Sequence, residues 1–452
     1  MRSALLASLA ALLVLPVSPA LAWDPANGDW SRTETTDLRV MTWNTADAIC
    51  RTNLKTDAQN DWNAIVRIVA AMQPDVLIMQ ETGDNSGNGT GSGVDTTAQL
   101  ATVLELFIRG GADPFRGGTV TSYVQKFVPG YDLPYVFVSP VTDNFNRNVI
   151  LSRYPFESIN GGPALVNDYF VVADAYAPGG NGGIRGFMFA QIDLPDEIYA
   201  GDIVVGNAHL KSGFGGDDAA DRLRAAQNTA YYIDYYYNGA GTGVSDPNSK
   251  VIIPQSGNIL DANTPVVWGG DFNQQPGGAG PVEWMTRAQN FGGTDGTDRD
   301  RSDSSWDMAS HPVTNETSTQ GSSSKLDYIC WQDSIAQARR SFIFRSIGTG
   351  MTTNNQPFPV STFPGNPMLA SSIASDHRPV IVDFILPPAD TDPGCSPADL
   401  AEPYGALNFF DLSAYLTLFN NADPAADLAA PFGTLNFFDL SAYLSLYNAG
   451  CP

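Results

Sequence analysis

The feature that most constrains this 452-residue chain is a series of short apolar runs, many rich in β-branched residues, between residues 38 and 386. They are Leu38–Trp43, Val76–Met79, Val149–Leu151, Phe187–Ile192, Ile203–Val205, Val266–Trp268, Leu326–Trp331 and Val380–Phe384. Each has the length and composition of a strand. Helical patterns interrupt them. Asp61–Met72 sets Ile65, Val69 and Met72 on one face, with Pro74 as a stop. Ala98–Ile108 and Ala219–Tyr237 also carry helical spacing. Strands alternating with helices predict an α/β domain over 38–386. Gly/Asn/Ser/Asp-rich stretches at Gly83–Gly93, Pro178–Gly183, Gly239–Asn248 and Gly292–Ser305 are expected as surface loops.

Polar residues cluster where the strand-like runs end, the place where open α/β folds put ligand sites. Asn44 closes Arg39–Asn44 and Glu81 closes Pro74–Glu81. His209 stands in Asn207-Ala208-His209-Leu210-Lys211. Asp271 and Asn273 form Asp271-Phe272-Asn273, Asp327 follows Lys325-Leu326, and Asp376-His377 lies in Ser375–Pro379. Only three histidines exist, and two fall in such places; His311 matches no motif. A carboxylate at a strand end suits a hard, oxygen-seeking cation: Mg²⁺, Mn²⁺ or Ca²⁺. A second Asp beside an Asn suits water activation and hydrogen bonding to a charged oxygen. Together they point to phosphoryl chemistry. A serine-hydrolase Gly-x-Ser-x-Gly elbow and a Gly-rich phosphate loop with Lys are both missing from the sequence.

The order of these pieces, ending in Ser375-Asp376-His377-Arg378-Pro379, resembles the deoxyribonuclease I-like endonuclease/exonuclease/phosphatase superfamily. The resemblance implies a four-layer sandwich of two mixed β-sheets flanked by helices. It implies Glu81 as the main metal ligand, Asn44 touching metal or phosphate, and Asp376 as a second-metal or supporting carboxylate. Asp271 would orient or deprotonate water, and Asn273 would donate to phosphate or nucleophile. His377 would face the scissile phosphate with Asp327 holding its tautomer, and His209 would be a second phosphate-facing imidazole. Arg147 and Asn148 are candidates for substrate contact; Lys211 and Arg378 are either local phosphate contacts or solvated surface residues.

The chain's two ends read differently. Residues 1–22 predict a signal peptide: Arg2, an apolar stretch Ala4–Val17, and Ala20-Leu21-Ala22 for cleavage. A secreted, extracellular protein without a transmembrane segment is expected. Residues 387–394 have linker composition. In 395–452, Asp399–Leu416 recurs as Asp427–Leu444 with fifteen of eighteen positions identical. Each copy predicts a loop and an amphipathic helix, with Leu412, Tyr415, Leu416 and Phe419, or Leu440, Tyr443, Leu444 and Tyr447, on one face. A small all-α hairpin follows, stapled by pairing Cys395 with Cys451. Cys50 and Cys330 are either a second pair or free buried thiols. The tail resembles a dockerin-type module, which implies paired calcium loops and a cell-surface or sorting partner. Its loops offer few oxygen ligands (Asp399, Asn408, Asp411; Asp427, Asn436, Asp439), so weak Ca²⁺ binding or a metal-free hairpin are the two expectations.

Twenty-four Lys+Arg stand against 48 Asp+Glu, a formal charge of −24. Such a surface repels polyanions at long range. Three functions are in contention: an extracellular nuclease, a sphingomyelinase-like or small-ester phosphodiesterase, and a non-catalytic surface binding module.

Overall fold

The computed structural model describes residues 23–50, 54–83, 94–142, 146–157, 166–169, 187–213, 215–232, 237, 260–274, 309–333, 335–389, 395–401 and 404–451. The expected signal peptide 1–22, residues 390–394 of the expected linker and nearly all of the four expected surface loops lie outside them, as does 233–236 of the third expected helix.

The strands are β1 (Leu38–Asn44), β2 (Val76–Gln80), β3 (Gly111–Ala112), β4 (Thr119–Val120), β5 (Tyr135–Val138), β6 (Val149–Ser152) and β7 (Phe156–Glu157), then β8 (Val166–Tyr169), β9 (Phe187–Ile192), β10 (Ile203–His209), β11 (Val266–Asp271), β12 (Asp327–Trp331), β13 (Gln337–Ile343) and β14 (Val380–Ile385). All eight apolar runs are strands. The first large sheet has the order β13-β14-β1-β2-β6-β5, the second β12-β11-β10-β9-β7 with β8 also on β9; β3 and β4 form a separate ribbon. Each large sheet is mixed: β1 runs parallel to β2, and β10 to β11, while the other neighbours are antiparallel.

The helices are α1 (Asp61–Met72), α2 (Thr97–Arg109), α3 (Val124–Phe127), α4 (Gly216–Tyr232), α5 (Ala370–Ala374), α6 (Phe409–Asn420) and α7 (Phe437–Ala449). Asn60 caps α1 by accepting from the Asn63 N–H, and Gln73 ends it in the left-handed region just before Pro74. Ile65 and Val69 of α1 and Leu100 and Phe107 of α2 share one core with Met41, Leu77, Met79 and Val149 from the outer face of the first sheet. Burial of each such side chain contributes roughly 1.5–3 kcal/mol, and Phe107→Ala would cost about 3–5 kcal/mol.

The inner faces of the two sheets meet in the middle. A Cβ on Gly269 of β11 would lie 2.9 Å from Ile78 Cδ1 and 3.2 Å from Thr42 Cβ, so only glycine lets the sheets come this close. Near the strand ends the contact turns polar: Gln80 Nε2 donates to Asn207 Oδ1 at 2.9 Å.

Residues Pro195–Ala200 and Pro388–Pro452 cluster as a second compact unit. Within it α6 and α7 pack through stacked Tyr415 and Tyr443 rings, 3.9 Å apart. Their hydroxyls donate to Ala426 O and Ala398 O, a reciprocal exchange between the repeats. Cys395 and Cys451 are disulfide-bonded, as expected from their place around the repeats, while Cys50 and Cys330 are buried thiols outside any disulfide among the described residues. The expected helix stripe needs one correction. Leu416 and Leu444 are 41% and 39% exposed, and Leu418 and Leu446 join the core instead. The buried ridge follows the flank of each helix beside Tyr415 and Tyr443, not the one carrying residues 416 and 444. Among the described residues no helix is long and apolar enough to cross a membrane.

Candidate active site

Register does most of the work of building the site. β10 and β11 end together, and β12 begins beside them: His209 pairs with Asp271, and Asp271 with Asp327. Three functional side chains thus stand in one row across one end of the second sheet. In the first sheet, β1 and β2 run parallel and end at Asn44 and Gln80. The chain then turns sharply at Glu81, whose φ of 53° is unusual for a residue with a long side chain. The Glu81 carbonyl is held there by the Asp47 N–H (3.0 Å) and the Thr45 hydroxyl (3.1 Å). Such local strain, secured by neighbours, is common at functional positions.

The two half-sites meet at Asn44. Its Nδ2 donates to Glu81 Oε1 at 3.1 Å and to Asp271 Oδ2 at 3.0 Å, while its Oδ1 accepts from the Ala46 N–H. His209 lies between the same carboxylates, with Nδ1 3.8 Å from Glu81 and Nε2 3.5 Å from Asp271. His377 Nδ1 pairs with Asp327 Oδ2 at 2.8 Å, which leaves Nε2 3.7 Å from Asp271. The His377 loop is tied to β1: Ser375 Oγ donates to Asn44 O and accepts from the His377 N–H, and Trp43 Nε1 donates to His377 O. Asn273, at φ 52°, donates its N–H to Asp271 Oδ1 and its amide to Leu210 O.

The profile of the Endonuclease/Exonuclease/phosphatase family matches residues 41–377, a span that opens within β1 and closes on His377. The chain belongs to this family. Its members are phosphoric ester hydrolases. No curated protein matches the chain. Solved structures similar in fold include an endonuclease/exonuclease/phosphatase from Beutenbergia cavernae DSM 12333, at 19% identity and TM-score 0.39, covering 78% of this chain and 72% of that one. An endonuclease/exonuclease/phosphatase family protein from Leptotrichia buccalis C-1013-b gives 15% and 0.43, covering 77% and 100%. Sphingomyelinase C from Streptomyces griseocarneus gives 16% and 0.38, covering 77% and 99%.

The cluster is buried and charged. Burial, with Asp327 nearby, pushes the Asp271 carboxyl up to about 7, against the pull of His377, the Asn44 amide and the Asn273 N–H. Burial alone would lower His377, but Asp327 and Asp271 outweigh it and push the imidazole up to about 10. Glu81, at 25% side-chain exposure, is the more open carboxylate, beside nearly sealed Asp271 and Asp327. Glu81 and Asp271 present carboxylate oxygens, which fit a hard divalent cation, while Asn44 turns its Nδ2 toward both and its Oδ1 toward the Ala46 N–H. Asp271, Asp327 and His377 also offer ligand atoms within 4.8 Å of one another. There, however, His377 Nδ1 is already engaged by Asp327, an arrangement that orients an imidazole.

The remaining sequence candidates divide. Asp376 is exposed, with Oδ2 3.5 Å from Gln320 Nε2, and its charge helps to raise His377. Arg147 clamps a loop, its guanidinium donating to the carbonyls of Asp95, Ser139 and Pro140. Asn148 is fully buried, and among the described residues neither of its side-chain polar atoms has a hydrogen-bond partner. Lys211 pairs with Asp218 at 3.4 Å, and Arg378 donates to the Asp376 carbonyl. His311 is buried, accepts from the Val313 and Thr314 N–H groups and packs on Trp30, and burial pushes it down to about 4.

Sequence reasoning missed Thr319. Its hydroxyl accepts from the Leu326 and Asp327 N–H groups, and its carbonyl accepts from the Arg378 N–H, so it joins the segments that carry Asp327 and His377. Nothing in its polar surroundings marks it.

Proposed function

We propose that this chain hydrolyses phosphodiesters by in-line attack of water, with a divalent cation, and that nucleic acid is the substrate. One observation carries the reading: Asn44 joins Glu81 to Asp271 while the Asp327-oriented His377 turns its free Nε2 toward the same Asp271. This arrangement supports reading Asp271 as the base, His377 as an oriented imidazole and Glu81 as the hard-cation ligand.

Asp271 holds the attacking water and takes its proton. Asn273 fixes the Asp271 carboxylate through its N–H. His377 and His209 face the phosphoryl oxygens as charge develops, and Asp327 keeps His377 in its tautomer. Glu81, held in place by the Asn44 amide, would bind Mg²⁺, or Mn²⁺ or Ca²⁺ in its place; a bound cation neutralises charge on the phosphate.

Hydrolysis of a smaller phosphodiester, such as a lipid headgroup ester, is the second reading. The −24 charge and the internal pairing of Lys211 and Arg378 favour it, because duplex binding leans on free Lys/Arg contacts to phosphate. The N-terminal pattern supports export, and the repeat unit is proposed as a dockerin-like attachment or sorting device. Plasmid DNA, sphingomyelin and bis(p-nitrophenyl) phosphate, each incubated with Mg²⁺, Mn²⁺, Ca²⁺ or chelator, decide between the readings. Chelator-sensitive DNA cleavage supports the first, and turnover of a small diester alone supports the second. No turnover of any of them overturns both.

A further inference from the structure

Asn44 and Glu81 come from strand ends of the first sheet, whereas His209, Asp271 and Asp327 come from the second. Their distances therefore depend on how the two sheets are held. Apolar side chains between sheets resist separation but tolerate sliding, because dispersion contacts have no preferred direction. Hydrogen bonds of fixed length resist both.

Such bonds exist directly beneath the site. Asn207 of β10, two residues before His209, is fully buried. Its Nδ2 donates to Met79 O and Val149 O, each at 2.9 Å, and those residues are register partners in β2 and β6. Its Oδ1 accepts from Gln80 Nε2 at 2.9 Å, and Gln80, also fully buried, donates to Thr42 Oγ1 at 3.2 Å. Every one of these Asn207 bonds crosses from the second sheet to the first. Gln80 immediately precedes the strained Glu81. An amide in the interior of a sheet sandwich is costly unless satisfied, and here its satisfaction depends on a single relative placement of the sheets.

We propose that Asn207, acting with Gln80, is a positioning residue that fixes the separation of Glu81 and Asn44 from His209 and Asp271. For catalysis the proposal rests on the phosphodiesterase reading above. Catalytic geometry is steep enough that a shift of about 1 Å costs on the order of 10²-fold in rate.

The test compares wild type, Asn207→Leu and Gln80→Leu, all as the full chain. Turnover of bis(p-nitrophenyl) phosphate is measured beside thermal unfolding and ¹⁵N-histidine resonances. With only three histidines the spectrum assigns itself by substitution, and His311 serves as an internal control. Asn207→Leu is expected to lower kcat about tenfold or more with KM within about threefold. The His209 resonance should move while that of His311 stays. If Asn207→Leu does not fold, Gln80→Leu decides, since it removes one donor of the set; a kcat loss of about threefold or more with a displaced His209 resonance is expected. Turnover per folded molecule within about twofold of wild type, with the His209 resonance unmoved, overturns the proposal even if stability falls. A wild type inactive on the diester, on plasmid DNA and on sphingomyelin, together with a displaced His209 resonance in the variant, overturns the hydrolase reading and supports the clamp.

Discussion

Both compact units of this chain are built around aspartates, and they use them in opposite ways. In the larger unit Asp271 meets mainly other side chains, and burial beside Asp327 pushes it up. In the repeat unit Asp411 accepts from the Leu400, Ala401 and Asn408 N–H groups, and Asp439 from those of Leu428, Ala429 and Asn436. Burial alone would raise these two, but the backbone donors outweigh it and hold both below the usual carboxylate range. A carboxylate saturated by N–H groups is a loop staple. One facing an imidazole and an amide is poised for chemistry. Asp411 and Asp439 are thus spent on the backbone, whereas Asp399 Oδ1 and Asp427 Oδ1 are buried with no hydrogen-bond partner among the described residues, so each loop keeps one carboxylate oxygen that a cation could use.

Four substitutions or conditions sharpen this contrast. His377→Ala should lower turnover roughly 10²-fold or more with the fold intact, checked by steady-state rates beside circular dichroism. Asp411→Ala should do the reverse: rates stay at wild-type level while limited proteolysis and mass spectrometry detect new cleavage within 395–452. Equal rate losses in the two variants would erase the distinction. Reduction of Cys395–Cys451 should destabilise the repeat unit by about 2–4 kcal/mol, again with turnover unchanged; calorimetry with and without reductant measures it.

The smallest effect concerns pH. His311 titrates near 4 in the folded protein, below its ordinary value of 6.5. Between these values the unfolded chain binds the extra proton, so stability is full above about 6.5 and falls as pH drops toward 4. One such proton contributes at most about 1.4 kcal/mol per pH unit. Urea unfolding at stepped pH should show a shallower slope in His311→Gln.

Much of the catalytic unit was legible because its strands are apolar runs and its functional residues interrupt them. The eight runs and the exact span of α1 follow from composition and spacing alone. β13 did not, because Gln337-Ala338-Arg339-Arg340-Ser341 is polar. Its arginines pair with Asp37 and Asp383, contacts that no local pattern encodes. Arg147 shows the same limit: a basic residue before a strand reads as a substrate contact until its carbonyl partners are seen. Asn207 was hidden because one amide in an apolar run resembles an ordinary substitution. In the repeats, sequence marked the aspartates but not the direction of the N–H groups around them.

The sharpest measurement is release of p-nitrophenolate from bis(p-nitrophenyl) phosphate by wild type and Asp271→Asn, side by side, with and without chelator. Chelator-sensitive turnover in wild type and a loss of roughly 10²-fold or more in Asp271→Asn are expected. Equal rates in the two proteins would contradict the placement of Asp271 at the centre of the chemistry.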